Sequence, residues 1–180
     1  MKNLLNCHCI GLHSFPIELS EDGLYKRIFY ADTNHELHKP FEIAIHPHHV
    51  DITITVLDGV LTNRIFELDN GSDNVFGKYK WNSHILNGNG GFEYVGLCNL
   101  KNVSNFNYAK GSKIFMKSCE LHTVQVSRGF KCIWLIEESK ASCGYEPINY
   151  SKRDLAKWTP EGLYIECDNE TKQKYIGHLL

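Results

Sequence analysis

Three of the ten histidines in this 180-residue chain stand within four positions, at His46, His48 and His49. Imidazole is the commonest metal ligand among protein side chains. In an extended strand, residues two positions apart project from one face, so His46 and His48 can point to one ion while His49 faces away. The apolar, β-branched residues that follow would hold this pair on a rigid sheet. The spacing therefore predicts two ligands of a metal site.

One further histidine stands apart, much further along the chain. His122 is the only histidine of the second half apart from His178, and it ends the run Gly111-x5-Lys117-Ser118-Cys119-x2-His122. Three neutral imidazoles on one ion would leave coordination positions open for water, O2 or a substrate. His122 is therefore a candidate for a third ligand.

These two stretches resemble the two motifs of the cupin superfamily, G-x5-H-x-H-x3,4-E-x6-G and G-x5-P-x-G-x2-H-x3-N. The residues at motif positions are His46, His48, Gly59, Gly111 and His122. The resemblance therefore implies a metal site formed by His46, His48 and His122. The chain departs from the motifs at Ile52, which replaces the glutamate ligand, and at Lys117, Cys119 and Val126, which replace proline, glycine and asparagine. Without the glutamate, the ligand set is similar to that of the three-histidine thiol dioxygenase branch of the cupins.

The resemblance implies a cupin-type jelly-roll barrel that binds Fe(II), with Zn, Mn or Ni as other candidate metals. It also implies a dioxygenase that acts on a small thiol or another small polar metabolite. Because a fold does not determine a function, two alternatives stay open. One is a non-catalytic cupin-fold domain that binds a small molecule or a partner protein, and the other is a metal-dependent isomerase or hydrolase.

Other residues could assist such a site. Arg64, on the strand after Gly59, could hold a substrate carboxylate with its two-pronged guanidinium group, or it could be a surface arginine. Tyr79 is a candidate catalytic residue lining the pocket, although alternating aromatic residues on strands are more often core. Asp51 could orient a histidine ligand or cap the turn before its strand. Cys119 could form a thioether with a tyrosine, or be a small buried residue.

The seven cysteines are odd in number and scattered, which argues against a disulfide framework and favours reduced thiols. Cys7-His8-Cys9 together with His13 could bind zinc, but the motif lacks a matching second half. We therefore favour an N-terminal strand for this stretch.

Strand patterns with turn signals between them occupy most of the chain and indicate a mainly β, antiparallel sandwich or barrel. The 180 residues fit a single domain, with the metal-site core from about 41 to 137. A short helix is predicted over Asp168–Leu180. Strands are predicted on both sides of the histidine cluster and at Cys9–Phe15, Leu24–Tyr30, Val60–Leu68, Phe76–Leu86, Phe92–Leu97, Ser112–Lys117, Leu121–Val126 and Lys131–Ile136.

Composition limits the class of protein. The net charge is −2 and there is no run of lysine and arginine, so nucleic-acid binding is not expected. The N-terminus lacks the apolar stretch of a signal peptide, and no segment is long enough to cross a membrane. We expect a soluble cytoplasmic protein with a small-molecule substrate. Exposed edge strands would also be consistent with a homodimer.

Overall fold

The computed structural model describes residues 2–33, 41–81, 91–157 and 163–180. Within these ranges the chain forms antiparallel sheets and one short C-terminal α-helix, which confirms the predicted mainly β fold. The strands are β1 (Asn3–Leu5), β2 (Leu12–Leu19), β3 (Tyr25–Asp32), β4 (Phe41–Glu42), β5 (Asp51–Asp58), β6 (Val60–Leu68), β7 (Val75–Trp81), β8 (Phe92–Ala109), β9 (Lys113–Met116), β10 (Leu121–Val126), β11 (Lys131–Ser139), β12 (Ile148–Ser151) and β13 (Ile165–Cys167).

The strands form two sheets, with the orders β13-β1-β2-β3-β11-β5-β9 and β12-β7-β8-β6-β10-β4. Between β3 and β6, and again between β8 and β11, successive strands lie in different sheets. A double antiparallel sheet with the chain passing repeatedly from one sheet to the other is a jelly roll. This topology places β6 and β10 side by side although they are far apart in sequence.

The main core lies between the sheets and follows from the two-residue period of the strands. On β5 the apolar residues Ile52, Ile54 and Val56 are buried, while Thr53 and Thr55 between them are only half-buried. The buried residues of β5 pack together with residues of β6 and β11, including Leu61 and Trp134. Burial of this one face fixes the register of the strands around the site.

The α-helix α1 (Asn169–Ile176) begins at Asp168, whose side chain accepts a hydrogen bond from the backbone N–H of Thr171 at 2.8 Å. This is a standard N-cap interaction. A 3-10 turn at Gly177–Leu179 follows the helix, and another lies at Leu155–Lys157. In the described ranges, we find no helix long and apolar enough to span a membrane.

Several strand boundaries differ from the prediction. β8 continues to Ala109 because it pairs with β7 at one end and with β6 at the other. β7 ends, as described, at Trp81. His84 and most of the hairpin turn predicted at Asn87–Gly91 lie outside the described residues, as do His35 and His38.

The expectation of reduced thiols is wrong for one pair of cysteines. Cys119, in the turn before β10, forms a disulfide with Cys143, 24 residues later. The pairing depends on the segment after β11 folding back onto that turn, which spacing alone does not reveal. Because the Cys119 sulfur is used in the disulfide, a thioether to a tyrosine does not form. The cysteines that are not joined in a disulfide are Cys7, Cys9, Cys98, Cys132 and Cys167.

Candidate metal centre

The structure brings His46, His48 and His122 together. Each offers a ring nitrogen, and these nitrogens all lie within 4.8 Å of one another. The Nε2 atoms of His48 and His122 are 2.8 Å apart. No other group of three or more His, Cys, Asp or Glu side chains in the described part of the chain is close enough to share a metal ion.

Backbone hydrogen bonds set the positions of the three histidines. The backbone of His46 pairs with that of His122 in both directions, at 2.9 and 3.2 Å. The N–H of His48 donates to the carbonyl oxygen of Ser118 at 2.9 Å. The regular strand predicted before Pro47 is reduced to isolated bridges, and β5 begins at Asp51. The spacing of two residues nevertheless places both His46 and His48 beside His122.

Hydrogen bonds to Nδ1 orient two of the three rings. The Nδ1 of His46 lies 2.7 Å from the carbonyl oxygen of Ala44, which can only accept. The Nδ1 of His122 lies 2.8 Å from Oδ1 of the buried Asn63, while the amide nitrogen of Asn63 faces the sulfur of Met116 at 3.7 Å. Each Nδ1 therefore carries the proton, and each Nε2 keeps a lone pair for a metal ion.

Asn63 was missed by the sequence analysis. It lies on β6 two positions after the buried Leu61, so the period of two predicts that it points into the core. A buried amide needs hydrogen-bond partners. That requirement was the signal available in the sequence, although its partner depends on the pairing of β6 with β10.

Burial keeps the three imidazoles neutral. It lowers the pKa of His46, and it lowers the pKa values of His48 and His122 well below the usual 6.5. For the latter two, the positive charge that the neighbouring histidines would carry lowers the pKa further. Neutral imidazole is the form that binds a metal.

Asp51 supports the centre indirectly. Its Oδ1 accepts hydrogen bonds from the backbone N–H groups of Ser118, at 2.7 Å, and Ser142, at 3.1 Å. Hydrogen bonding from Ser142, followed by that from Ser118, holds the pKa of Asp51 at about 2. The carboxylate thus fixes the turn whose carbonyl holds His48, rather than a histidine ring.

The remaining histidines of the predicted motifs lie elsewhere. The ring of His49 faces Tyr145, with centroids 6.3 Å apart, and does not join the cluster. The Nδ1 of His13 accepts a hydrogen bond from the backbone N–H of Asn6 at 3.1 Å. Cys7, Cys9 and His13 do not form the zinc site considered above.

A pocket of about 540 Å³ lies beside the cluster and is lined by His46. Among the described residues, its permanently charged lining consists of Arg64, Lys152, Arg153 and Asp154. Three cations and one carboxylate favour a small anionic molecule. The segment that carries Lys152 and Arg153 follows β12, and no motif in the sequence pointed to it.

The structure separates the two residues predicted to assist catalysis. Arg64 lines the pocket with His46; its Nε donates to Oδ1 of Asn105 at 3.3 Å, and its guanidinium lies 5.4 Å from the ring centroid of Phe66. Tyr79 is buried edge-on against Tyr94 and lines a neighbouring groove. The structure therefore brings Arg64, but not Tyr79, into the pocket beside the histidines.

The donor set fits a divalent transition metal. Imidazole nitrogens bind Zn²⁺ at about 2.0–2.1 Å, so ligands of one ion must lie within a few ångströms of one another, as these three do. Three neutral nitrogen donors suit Fe, Zn, Ni or Mn without selecting among them. A centre of this kind, next to a pocket, can bring a small molecule to an ion.

Comparisons with known proteins bear on the fold only. No family model and no curated protein matches the chain. Among solved structures, the cupin domain of Cnp3 from Schizosaccharomyces pombe is 8% identical with a TM-score of 0.44, over 73% of this chain and 66% of that one. Hydroxypropylphosphonic acid epoxidase from S. wedmorenis is 8% identical with a TM-score of 0.46, over 76% and 55%.

A third structure is hydroquinone 1,2-dioxygenase PnpCD in complex with Cd²⁺ and 4-hydroxybenzonitrile. It is 13% identical with a TM-score of 0.43, over 72% of this chain and 64% of that one. The chain therefore spans about two thirds or less of the length of these three proteins. The jelly roll described above is an architecture that cupins share.

Proposed function

We propose that the protein binds one divalent metal ion through His46, His48 and His122. The observation that carries the proposal is the convergence of the three ring nitrogens, with the Nδ1 atoms of His46 and His122 already held by acceptors. Fe(II) is the first candidate because the cupin-like motif has lost its glutamate at Ile52. Zn, Mn and Ni are the other candidates.

The activity we propose is a metal-dependent dioxygenase acting on a small polar metabolite, with small thiols included. Bound Fe(II) would supply open coordination positions at which O2 and a substrate meet. Arg64 would hold an anionic group of the substrate, with Lys152 adding positive charge at the same pocket. Ile43 and Phe76 line the pocket and would limit the access of water.

The second candidate is a non-catalytic domain that binds a small molecule or a partner. The 2.8 Å contact between the Nε2 atoms of His48 and His122 favours it. Without an ion, a protonated Nε2 of His48 can donate a hydrogen bond to the Nε2 lone pair of His122. Both nitrogens then have a hydrogen-bond partner. The two candidates therefore differ in whether an ion or a proton lies between these nitrogens.

Elemental analysis of the protein purified without oxygen separates the candidates. We expect about one metal ion per chain in the wild type, a large loss in His122→Ala, and full retention in the control His49→Ala, whose ring faces Tyr145. Stoichiometric metal in His122→Ala would refute the ligand assignment. A wild type that neither contains nor takes up metal would support the second candidate.

Oxygen consumption then tests the proposed activity. The iron-loaded wild type is expected to consume O2 with some member of a panel of small thiols and small carboxylates, and the zinc-loaded protein is not. Arg64→Gln should raise KM for carboxylate substrates more than it changes kcat, because the arginine binds the substrate without taking part in bond making. Iron binding without O2 consumption across the panel would count against the dioxygenase.

A further inference from the structure

Strained backbone is concentrated at one place in the described part of the chain. The non-glycine residues with left-handed φ angles are Asn6 (+53°), His8 (+71°) and Tyr164 (+53°). Such conformations persist where the surrounding structure enforces them, and they cluster at functional sites. His8 and Tyr164 are 156 residues apart in the sequence, so their joint strain belongs to a single site in the fold.

Backbone hydrogen bonds enforce this conformation. The carbonyl oxygen of Asn6 accepts from the N–H of Tyr164 at 3.1 Å, and the side-chain oxygen of Asn6 accepts from the N–H of Gly11 at 3.0 Å. The N–H of Asn6 donates to Nδ1 of His13. The segment before β2 is thereby tied to Tyr164, the residue immediately before β13.

The strained residues bring two side chains to the metal centre. The ring of His8 stacks beside that of His46, with centroids 6.3 Å apart and planes at 27°. The hydroxyl of Tyr164 lies 3.1 Å from Nδ1 of His8. Both residues line the pocket that His46 lines, and His8 is exposed, so a molecule in the pocket can reach it.

With Tyr164 as the donor, the contact between the two side chains leaves Nε2 as the ring atom of His8 that can donate. Burial raises the pKa of Tyr164, which therefore keeps its proton and can donate it to Nδ1 of His8. A neutral imidazole that accepts at Nδ1 carries its hydrogen on Nε2. His8 thus offers a hydrogen-bond donor beside the three-histidine cluster.

We propose that His8 and Tyr164 are a substrate-orienting pair, in which Nε2–H of His8 donates a hydrogen bond to the carboxylate of a small molecule bound next to His46. The carboxylate is the class of group that suits the pocket, because Arg64, Lys152 and Arg153 line it against one acidic residue. The volume of the pocket, about 540 Å³, suits a small metabolite. The inference rests on the proposed function in placing the metal at the neighbouring cluster.

Binding of malonate, with neutral malonamide as the comparison, tests the pair by calorimetry on metal-free and Zn(II)-loaded protein. We expect malonate to bind the wild type, with an affinity at least about tenfold weaker in His8→Gln and Tyr164→Phe, since a hydrogen bond to a charged group is lost. The matched controls His178→Gln and Tyr25→Phe, outside the pocket lining, should bind malonate as the wild type does. Zn(II) affinity should change less than about threefold in all four variants, since none of the four substituted residues is a proposed ligand.

Thermal melting of His8→Gly distinguishes a ligand-binding role from a structural one. Glycine accepts a φ of +71° without strain, so this variant should melt no lower than the wild type while malonate binding falls. A lower melting temperature with unchanged malonate binding would overturn the proposal, as would equal binding of malonamide or no binding of malonate by the wild type. If the wild type takes up no zinc but malonate binding still depends on His8, the pair is supported and the metal proposal fails.

Discussion

The imidazole of His122 on β10 donates its Nδ1–H to the side-chain oxygen of Asn63 on β6, across 2.8 Å of protein interior. Asn63 is 1% exposed and His122 is 2% exposed. The orientation of the third candidate ligand therefore depends on the neighbouring strand as much as on its own. The hydrogen bond also decides which ring nitrogen is available to an ion.

Replacing Asn63 with alanine should weaken metal binding without removing a ligand. Loss of a partner that orients a metal-bound histidine typically costs about 10–100-fold in affinity. Isothermal titration with Zn(II) measures the change. Asn107→Ala is the control, because Asn107 is exposed on β8 and bonds to Thr62. Equal affinity in Asn63→Ala and the wild type would show that the hydrogen bond does not orient His122.

Two glycines with similar backbone angles should tolerate alanine differently. Gly59 (φ +79°), between β5 and β6, is so close to the backbone of Lys131 that an added methyl group would collide with it. Gly111 (φ +88°) has open space around the same position. We expect Gly111→Ala to cost about 1 kcal/mol for the left-handed conformation alone, and Gly59→Ala about 3 kcal/mol or more. Urea unfolding of both variants measures the difference, and equal costs would contradict the close approach.

The charge of Asp51 should stabilise the fold in a defined pH range. Its folded pKa, about 2, is below the ordinary 3.8. The stabilisation is therefore fully present above about pH 4 and is lost as the pH falls through the folded pKa. Asp51→Asn should unfold at a lower urea concentration than the wild type at pH 6, with the difference shrinking towards pH 2. The exposed Asp22→Asn should show little difference at either pH.

The disulfide can be tested by counting thiols. Of the seven cysteines, Cys119 and Cys143 are joined, so the denatured protein should react as five free thiols before reduction and as seven afterwards. Closing a loop of this size stabilises a protein by about 3 kcal/mol in the chain-entropy account. The double variant Cys119→Ser/Cys143→Ser should lose about that much. Dithiothreitol should destabilise the wild type similarly and leave the double variant unchanged, whereas seven free thiols before reduction would exclude the bond.

Local patterns in the sequence predicted much of the fold and part of the candidate site. The alternation of β5 and β6 and the two-residue spacing of His46 and His48 are properties of neighbouring residues, and they predicted the β architecture and the convergence of these two rings. His122 was found through the resemblance to a two-part motif. In each case the information lies within a short window or a known spacing.

The missed features depend on contacts between distant parts of the chain. Asn63 meets His122 only because β6 and β10 are adjacent, and His8 meets Tyr164 only because the N-terminal segment lies against β13. The disulfide requires the segment after β11 to return to the turn before β10. The sequence spacing of these pairs does not predict that they meet in the fold.

The position of β10 between β6 and β4 has a kinetic consequence. His48 and His122 are separated by 74 residues, and the backbone of His46 is itself held by that of His122. A growing or refolding chain therefore cannot assemble the three-histidine cluster until β10 has docked. Contacts over such separations form late because chain closure is entropically costly. Added metal should then slow unfolding more than it accelerates folding.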